Sequence, residues 1–346
     1  MNYRGKQVIV TGGLGFIGSN LAIRLVESGA IVTIVDSSVT GCGANRCNIA
    51  SIASDVQVIE RDIRETGFLS PVLAKAEIIF NLAGEISHVH SMQFPERDLA
   101  INTEAQLRFL HECSRVCPGV RIVYAGTRQI YGVPEYLPVD ELHPIRPVDF
   151  NGVHKYAATM YHMMFWQSGH LDALVLRLTN VYGPRMSLES PCQGFFGAFL
   201  RQALTGGNIE LYGDGSQLRD PVYVDDVVDA FLRAGVLAKP LERTFNIGTS
   251  DAVSLEQIAS LLAALSPGLK VTMRPFPQDR KRIDIGSYYS DAALSREVLG
   301  WRPLMGLEEG LERTLLFYQE NLPHYVKNPL EPASCPLHAV NKTTAG

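Results

Sequence analysis

Thr11-Gly12-Gly13-Leu14-Gly15-Phe16-Ile17-Gly18 lies between a β-rich run, Gln7 to Thr11, and a helix pattern that begins at Phe16 and stops at Gly29. Glycines spaced GxxGxxG at a strand–turn–helix junction allow a tight turn and let backbone N–H groups approach a pyrophosphate at the helix N-terminus. The pattern alone would be weak, but its setting makes it a dinucleotide cradle rather than a structural turn. The second strand, Ile31 to Asp36, ends on a carboxylate. There it accepts hydrogen bonds from the adenosine ribose hydroxyls and repels a 2′-phosphate, which favours NAD over NADP. The plainer reading of Asp36 is a strand-end surface aspartate. Asp62-Ile63, after a third strand (Val56 to Glu60), is placed to meet the adenine edge. Leu82-Ala83-Gly84, closing a fourth (Ile78 to Leu82), has the small residues that let a cofactor pass close to the backbone.

Outward from this junction the first half alternates strand and helix. A helix pattern runs from Glu96 to Val116, a strand from Arg121 to Ala125, a helix from Gly152 to Ser168 and a strand from Ala173 to Leu178. This order predicts an α/β fold, a Rossmann-type doubly wound parallel sheet, with a smaller mixed C-terminal substrate lobe. The expected division is 1–180 for the NAD-binding domain, with about 223–250 returning to it. The substrate lobe takes 181–222 and 251–322, and 323–346 reads as a poorly ordered tail. In the second half Val224 to Ala238 reads as a helix, Thr244 to Ile247 as a strand and Ser254 to Leu265 as a helix N-capped by Ser254.

The 346 residues carry 46% hydrophobic and 19% charged side chains and a net charge of −5, which suits a globular protein and excludes a nucleic-acid footprint. No apolar run approaches the roughly 18 residues of a membrane span. No signal-like segment precedes the first strand, so a cytoplasmic protein is expected. The six cysteines form no CxxC pair and read as reduced thiols, not as a metal site.

Further along stand "DIRE", "NLAGEISHVHSM", Asn102, "AGTRQIYG", "RLTNVYGP", "YGDGSQLRDPVYVDD", "TFNIGTS" and "LGWRP", in that order. With the glycine motif they resemble the extended short-chain dehydrogenase/reductases, specifically the NAD-dependent epimerase/dehydratase family that acts on nucleotide sugars. The resemblance covers roughly Lys6 to Glu320. It implies an NAD cofactor held by Gly12, Gly15, Phe16, Ile17, Gly18, Asp36, Asp62, Ile63, Leu82, Ala83, Asn102 and Lys155. It implies a nucleotide sugar (UDP-, GDP-, CDP- or dTDP-linked) held by Ser91, Asn180, Arg219 and Arg282, the last favoured over Arg280. Thr127 would hold the sugar hydroxyl. The Gly152–Ser168 helix, rich in methionine and aromatic residues, would pair with the Glu96–Val116 helix in a homodimer.

The family's shared step is oxidation of a sugar hydroxyl by NAD, with a tyrosine four residues before the lysine as base. Here Lys155 is present and the tyrosine position holds Asn151. An amide cannot ionise near neutral pH. A replacement base is one explanation: His154, three residues on, could share the helix face, and Tyr131, His88 and His90 compete with it, whereas Tyr156 points away. Altered chemistry with Asn151 orienting the substrate is a second. A catalytically silent protein that binds NAD and nucleotide sugar is a third. Where dehydratases and decarboxylases place acids, after Thr127, this chain has Arg128 and Gln129. That argues against 4,6-dehydration and decarboxylation unless Glu85 or Asp149 supplies the acid, and it leaves epimerisation or a simple oxidation or reduction. A nucleotide-sugar epimerase-like enzyme is the expectation; the silent binder, or a dehydratase or reductase with another base, is the alternative.

Overall fold

The computed structural model describes residues 1–39, 42–65, 67–189, 194–281 and 283–326. Seven strands form one parallel sheet: β1 (Gln7–Thr11), β2 (Ile31–Asp36), β3 (Val56–Glu60), β4 (Ile78–Asn81), β5 (Arg121–Thr127), β6 (Asp172–Leu178) and β7 (Thr244–Ile247). Their spatial order is β7-β6-β5-β4-β1-β2-β3. Strands buried on both faces need continuous apolar runs, and β1, β4 and β6 have them. The order reverses between β1 and β4, and at such a switch point the loops at the carboxyl ends part to leave a crevice.

Four of the helices are α1 (Phe16–Glu27), α2 (Ala105–Val116), α3 (Phe150–Gln167) and α4 (Val224–Val236). Helices α1 and α4 cover one face of the sheet, around Leu21, Leu25, Phe80 and Phe231. Helix α2 covers the other, with Phe109 and Leu110 against Ile79 and Ile122. A second core joins the helices Gly194–Thr205, Leu255–Leu265 and Leu307–Asn321 to the parallel pair Asn208–Tyr212 and Lys270–Arg274. Ser254 caps its helix in a reciprocal capping box with Gln257.

Three details differ from the sequence expectation. The 96–116 helix is interrupted: a π turn at Ala100–Glu104 separates Pro95–Leu99 from α2. The segment around 292–301 packs with the nucleotide-binding layer, because Ala292, Leu299 and Trp301 enter its core and the Trp301 indole donates to the Asp226 carbonyl at 2.8 Å. The chain stays packed to Val326 instead of loosening at 323, since Tyr325 is buried and donates to Asn48 at 2.6 Å; residues 327–346 of the expected tail lie outside the described residues. Among the described residues no helix is long and apolar enough to cross a membrane.

Candidate active site

A single cleft runs over the carboxyl ends of the strands from the glycine turn to Asn180, lined at one end by Asp36 and Asp62 and at the other by Thr127, Asn151 and Lys155. Its glycine end has no room for side chains. A Cβ on Gly12, whose φ is +70°, would stand 2.9 Å from the Leu82 carbonyl carbon, and one on Gly18 would stand 2.2 Å from the Gly12 oxygen. The first turn of α1 carries no acidic residue and no side-chain cap, so its N–H groups stay available to an anion. Asp36 accepts from the Leu14 and Ser38 amides at 3.0 and 2.9 Å, and burial pushes its pKa up against those bonds. Asp62 also lines the cleft. Burial opposes its charge, but the Arg64 side chain and amide outweigh burial and hold its pKa below the usual carboxylate value. Beside Gly12, the Thr11 hydroxyl accepts from the Leu82 and Ala83 amides and fixes the end of β4. Phe16, Ile17, Ile63, Leu82 and Ala83 complete this wall.

At the far end Lys155 is buried, its ammonium 3.3 Å from the Ala125 carbonyl and 5.3 Å from the centre of the Tyr124 ring. Burial lowers its pKa to about 8, and the Asp98 charge opposes that shift. Thr127 ends β5 with its oxygen accepting from the Gln129 amide at 3.2 Å. The buried Asn180 Oδ1 has no hydrogen-bond partner among the described residues.

Asn151 is 2% exposed. Its amide nitrogen donates to the Glu85 carbonyl at 2.9 Å and to Asp98 Oδ2 at 3.0 Å, and its backbone N–H donates to Ser91 Oγ at 3.2 Å. The residue at the phenol's position therefore ties α3 to the loop after β4 and to Asp98.

Several expected site residues lie elsewhere. His154 is not in the cleft wall: its Nδ1 is 2.7 Å from Asp98 Oδ1 and its ring lies along Phe150. Tyr131 is fully buried, donating to Asn246 and accepting from Arg177, and burial lifts its pKa to about 12. His90 and Glu85 pair with each other behind the wall at 2.7 Å. Ser91 and Asn102 are buried beneath the cleft. The Ser91 hydroxyl donates to the His88 carbonyl, and the Asn102 amide grips both backbone groups of Glu85. Arg219 is spent on the Leu218 and Gly286 carbonyls, each at 2.7 Å, and on Gln217, and burial lowers its pKa to about 10. Arg282 lies outside the described residues.

The structure adds a pair that sequence reasoning considered only as separate residues. His88 lines the cleft, with its Nδ1 2.9 Å from Asp149 Oδ2 and the Gln129 amide against its ring. Asp149 is itself fixed as the N-cap of α3, accepting from the Gly152 amide at 2.7 Å. Burial works against the Asp149 charge, and His88 and the Gly152 amide prevail and lower its pKa. The sequence pattern starts α3 at Gly152; its start at Phe150, the cap at Asp149 and that residue's second partner, 61 residues away, come from the structure.

The model of the NAD dependent epimerase/dehydratase family matches residues 8–248. The chain belongs to that family. It is similar to UDP-glucose 4-epimerase of Mycolicibacterium smegmatis, at 33% identity over 90% of this chain and 98% of the relative. It is also similar to UDP-glucuronic acid decarboxylase 1 of Xenopus tropicalis, at 30% identity over 96% of this chain and 76% of the relative. Among solved structures it resembles UDP-glucose 4-epimerase from Thermotoga maritima with UDP-glucose, with a TM-score of 0.83, 30% identity and coverage of 91% and 99% of the two chains. The protein is thus an NAD-dependent enzyme of a nucleotide-sugar family. Its cleft fits that cofactor on its own terms: two glycines that no side chain can replace, an uncapped helix start and a carboxylate ending β2.

A buried ammonium with no carboxylate in hydrogen-bonding contact among the described residues is a stability cost that the Asp98 charge only partly offsets. In the unfolded chain Lys155 regains the ordinary value of 10.5, so between pH 8 and 10.5 the unfolded state binds more protons. Stability from this group therefore rises with pH across that window and is lowest below it. Lys155→Met is expected to stabilise the free protein near neutral pH by up to about 3 kcal/mol, with the gain fading toward pH 10.5, while NAD affinity falls. Denaturant unfolding at several pH values checks this; a Met variant less stable than wild type at neutral pH would contradict it.

Proposed function

We propose that the protein is a nucleotide-sugar epimerase-like enzyme acting by transient oxidation of a sugar hydroxyl, with His88 and Asp149 moving the proton that a tyrosine would otherwise take. The observation that carries this reading is one shared cleft wall: His88, Thr127 and Lys155 all face it, and Asp149 holds the imidazole. A histidine oriented by a buried carboxylate is a competent general base once its other nitrogen is free, so the Gln129 amide, which lies against Nε2, must give way to the substrate hydroxyl. Asn151 cannot serve, because an amide does not ionise and both its hydrogens are engaged. When bound, NAD supplies the acceptor for the hydride leaving the sugar carbon. Thr127 orients the reacting hydroxyl, Lys155 meets the nicotinamide ribose, and Asn180 offers its unbonded oxygen to a sugar hydroxyl. UDP-linked sugars are the first candidates, since the relatives are UDP-glucose and UDP-glucuronic acid enzymes. Arg128 and Gln129 beside Thr127 favour epimerisation or simple oxidation–reduction over dehydration and decarboxylation.

A panel of UDP-, GDP-, CDP- and dTDP-sugars given to the NAD-loaded enzyme is expected to yield a changed sugar configuration for at least one member. His88→Gln should lower kcat by about 10²–10⁴ with nucleotide-sugar binding retained. Binding with no change in configuration and no nicotinamide absorbance would leave the silent binding protein instead.

The same reading includes a cytosolic homodimer. Cys113 and Cys117, one turn apart, are not joined in a disulfide, in keeping with a reducing compartment. On α3, Val153, Met160 and Met164 are 47%, 42% and 59% exposed along one face, and Leu107 on α2 is 41% exposed. Burying these side chains against a second copy would stabilise association. The mass in solution should be that of a dimer, and Met160→Glu with Met164→Glu should give a folded monomer. A wild-type monomer would overturn the dimer.

A further inference from the structure

Arg128 is the first residue after β5, adjacent to Thr127 in sequence and in the cleft wall. It is 9% exposed, yet its Nη1 has no hydrogen-bond partner and the side chain forms no ion pair among the described residues. Its guanidinium carbon lies 4.8 Å from the centre of the Tyr288 ring, which holds the plane in place. Three carboxylates lie near enough to favour its charge: Asp220, Asp149 and Asp284. Each is committed elsewhere. Asp220 takes the Thr179 hydroxyl and the Ser290 amide, Asp149 takes His88 and the Gly152 amide, and Asp284 takes the Gln217 amide. Arg219, the other guanidinium nearby, is satisfied by carbonyls and feels Arg128 only as a repelling charge.

A buried, positioned and unpaired guanidinium is costly unless a ligand completes it. Arg128 lines the same cleft as Thr127, Lys155 and His88, with its guanidinium over Tyr288 and not at the glycine turn that suits a pyrophosphate. Away from that turn, the anions a nucleotide sugar can bring to it are its own diphosphate and a carboxylate on the sugar. A planar carboxylate matches a guanidinium through two parallel hydrogen bonds. We infer that Arg128 is a specificity-determining residue that selects a nucleotide-linked uronic acid by pairing with the sugar carboxylate. The inference rests on the nucleotide-sugar reading above and sharpens its substrate class. A neutral hexose would leave the cation buried and unpaired, so selection acts through exclusion as well as attraction.

The test compares binding of UDP, UDP-glucose and UDP-glucuronic acid to the NAD-loaded full chain, in wild type, Arg128→Gln and Arg128→Lys. Wild type should bind UDP-glucuronic acid about ten- to a hundredfold more tightly than UDP-glucose. Arg128→Gln should erase that preference and leave UDP affinity unchanged, and Arg128→Lys should restore part of it. The free Arg128→Gln protein should melt at or above the wild-type temperature, because an unpaired buried charge is gone; a purely structural arginine would give a lower one. Equal binding of the two sugars by wild type would overturn this inference alone and leave the enzyme reading standing. Equal loss of UDP and UDP-glucuronic acid affinity in Arg128→Gln would assign the anion to the diphosphate and likewise overturn it. Failure of all three ligands to bind would overturn the nucleotide-sugar reading, and this inference with it.

Discussion

A carboxylate with 1% of its surface exposed must be paired, and Asp98 is paired by the two α3 residues that stand nearest the missing phenol. Asn151 donates to one of its oxygens and His154 lies against the other. The same charge supports the buried ammonium of Lys155, whose direct partners among the described residues are a carbonyl and an aromatic face. One buried anion thus registers α3 against the Pro95–Leu99 helix, favours the charge of Lys155, and holds His154, which does not line the cleft. Removing it would leave a buried amide, an imidazole and an ammonium without their anion, a loss that falls among the larger single-site effects.

In the proposed reading, proton chemistry moves from the position of Asn151 to His88. The usual arrangement places base and lysine on one helix. Here the lysine stays on α3, and the ionisable group facing the cleft comes from the loop after β4, oriented by the cap residue of α3 itself. Asp149 serves two ends at once, starting the helix and holding His88, which makes the geometry of the imidazole dependent on the same helix that carries Lys155. In the same cleft Arg128 and Asn180 offer a donor and an acceptor that have no hydrogen-bond partner among the described residues. These two atoms are left for a ligand to complete, whereas Asp36, Thr127, Asn151 and His88 already have protein partners.

Much of the fold was legible because its signals are local. The strand–turn–helix at Thr11–Gly18, the alternating apolar runs and the Ser254 cap each depend on neighbours in sequence, and the strands appear within two residues of their expected limits. The residues expected to form the cradle are local in the same way, and Gly12, Gly15, Phe16, Ile17, Gly18 and Asp36 line the cleft. What was not legible depends on contacts between distant segments. Helix phase placed His154 beside Asn151, but the partner that fixes it, Asp98, lies 56 residues away. Ser91, Asn102 and Arg219 carry suitable groups, and only the folded chain shows them spent on backbone. The π turn at Ala100–Glu104 leaves no trace in a periodicity. Arg128 was visible as the absence of an acid; that it is a cation without a partner comes from burial, which composition does not encode.

The most direct measurement of the central claim is the structure of the enzyme with NAD and a nucleotide sugar that it turns over. A ring nitrogen of His88 is expected within about 3.2 Å of the sugar hydroxyl that faces the nicotinamide, with Asn151 still bonded to Asp98 and the Glu85 carbonyl. A different ionisable group at that distance, or His88 turned away from the hydroxyl with no base in its place, would contradict it.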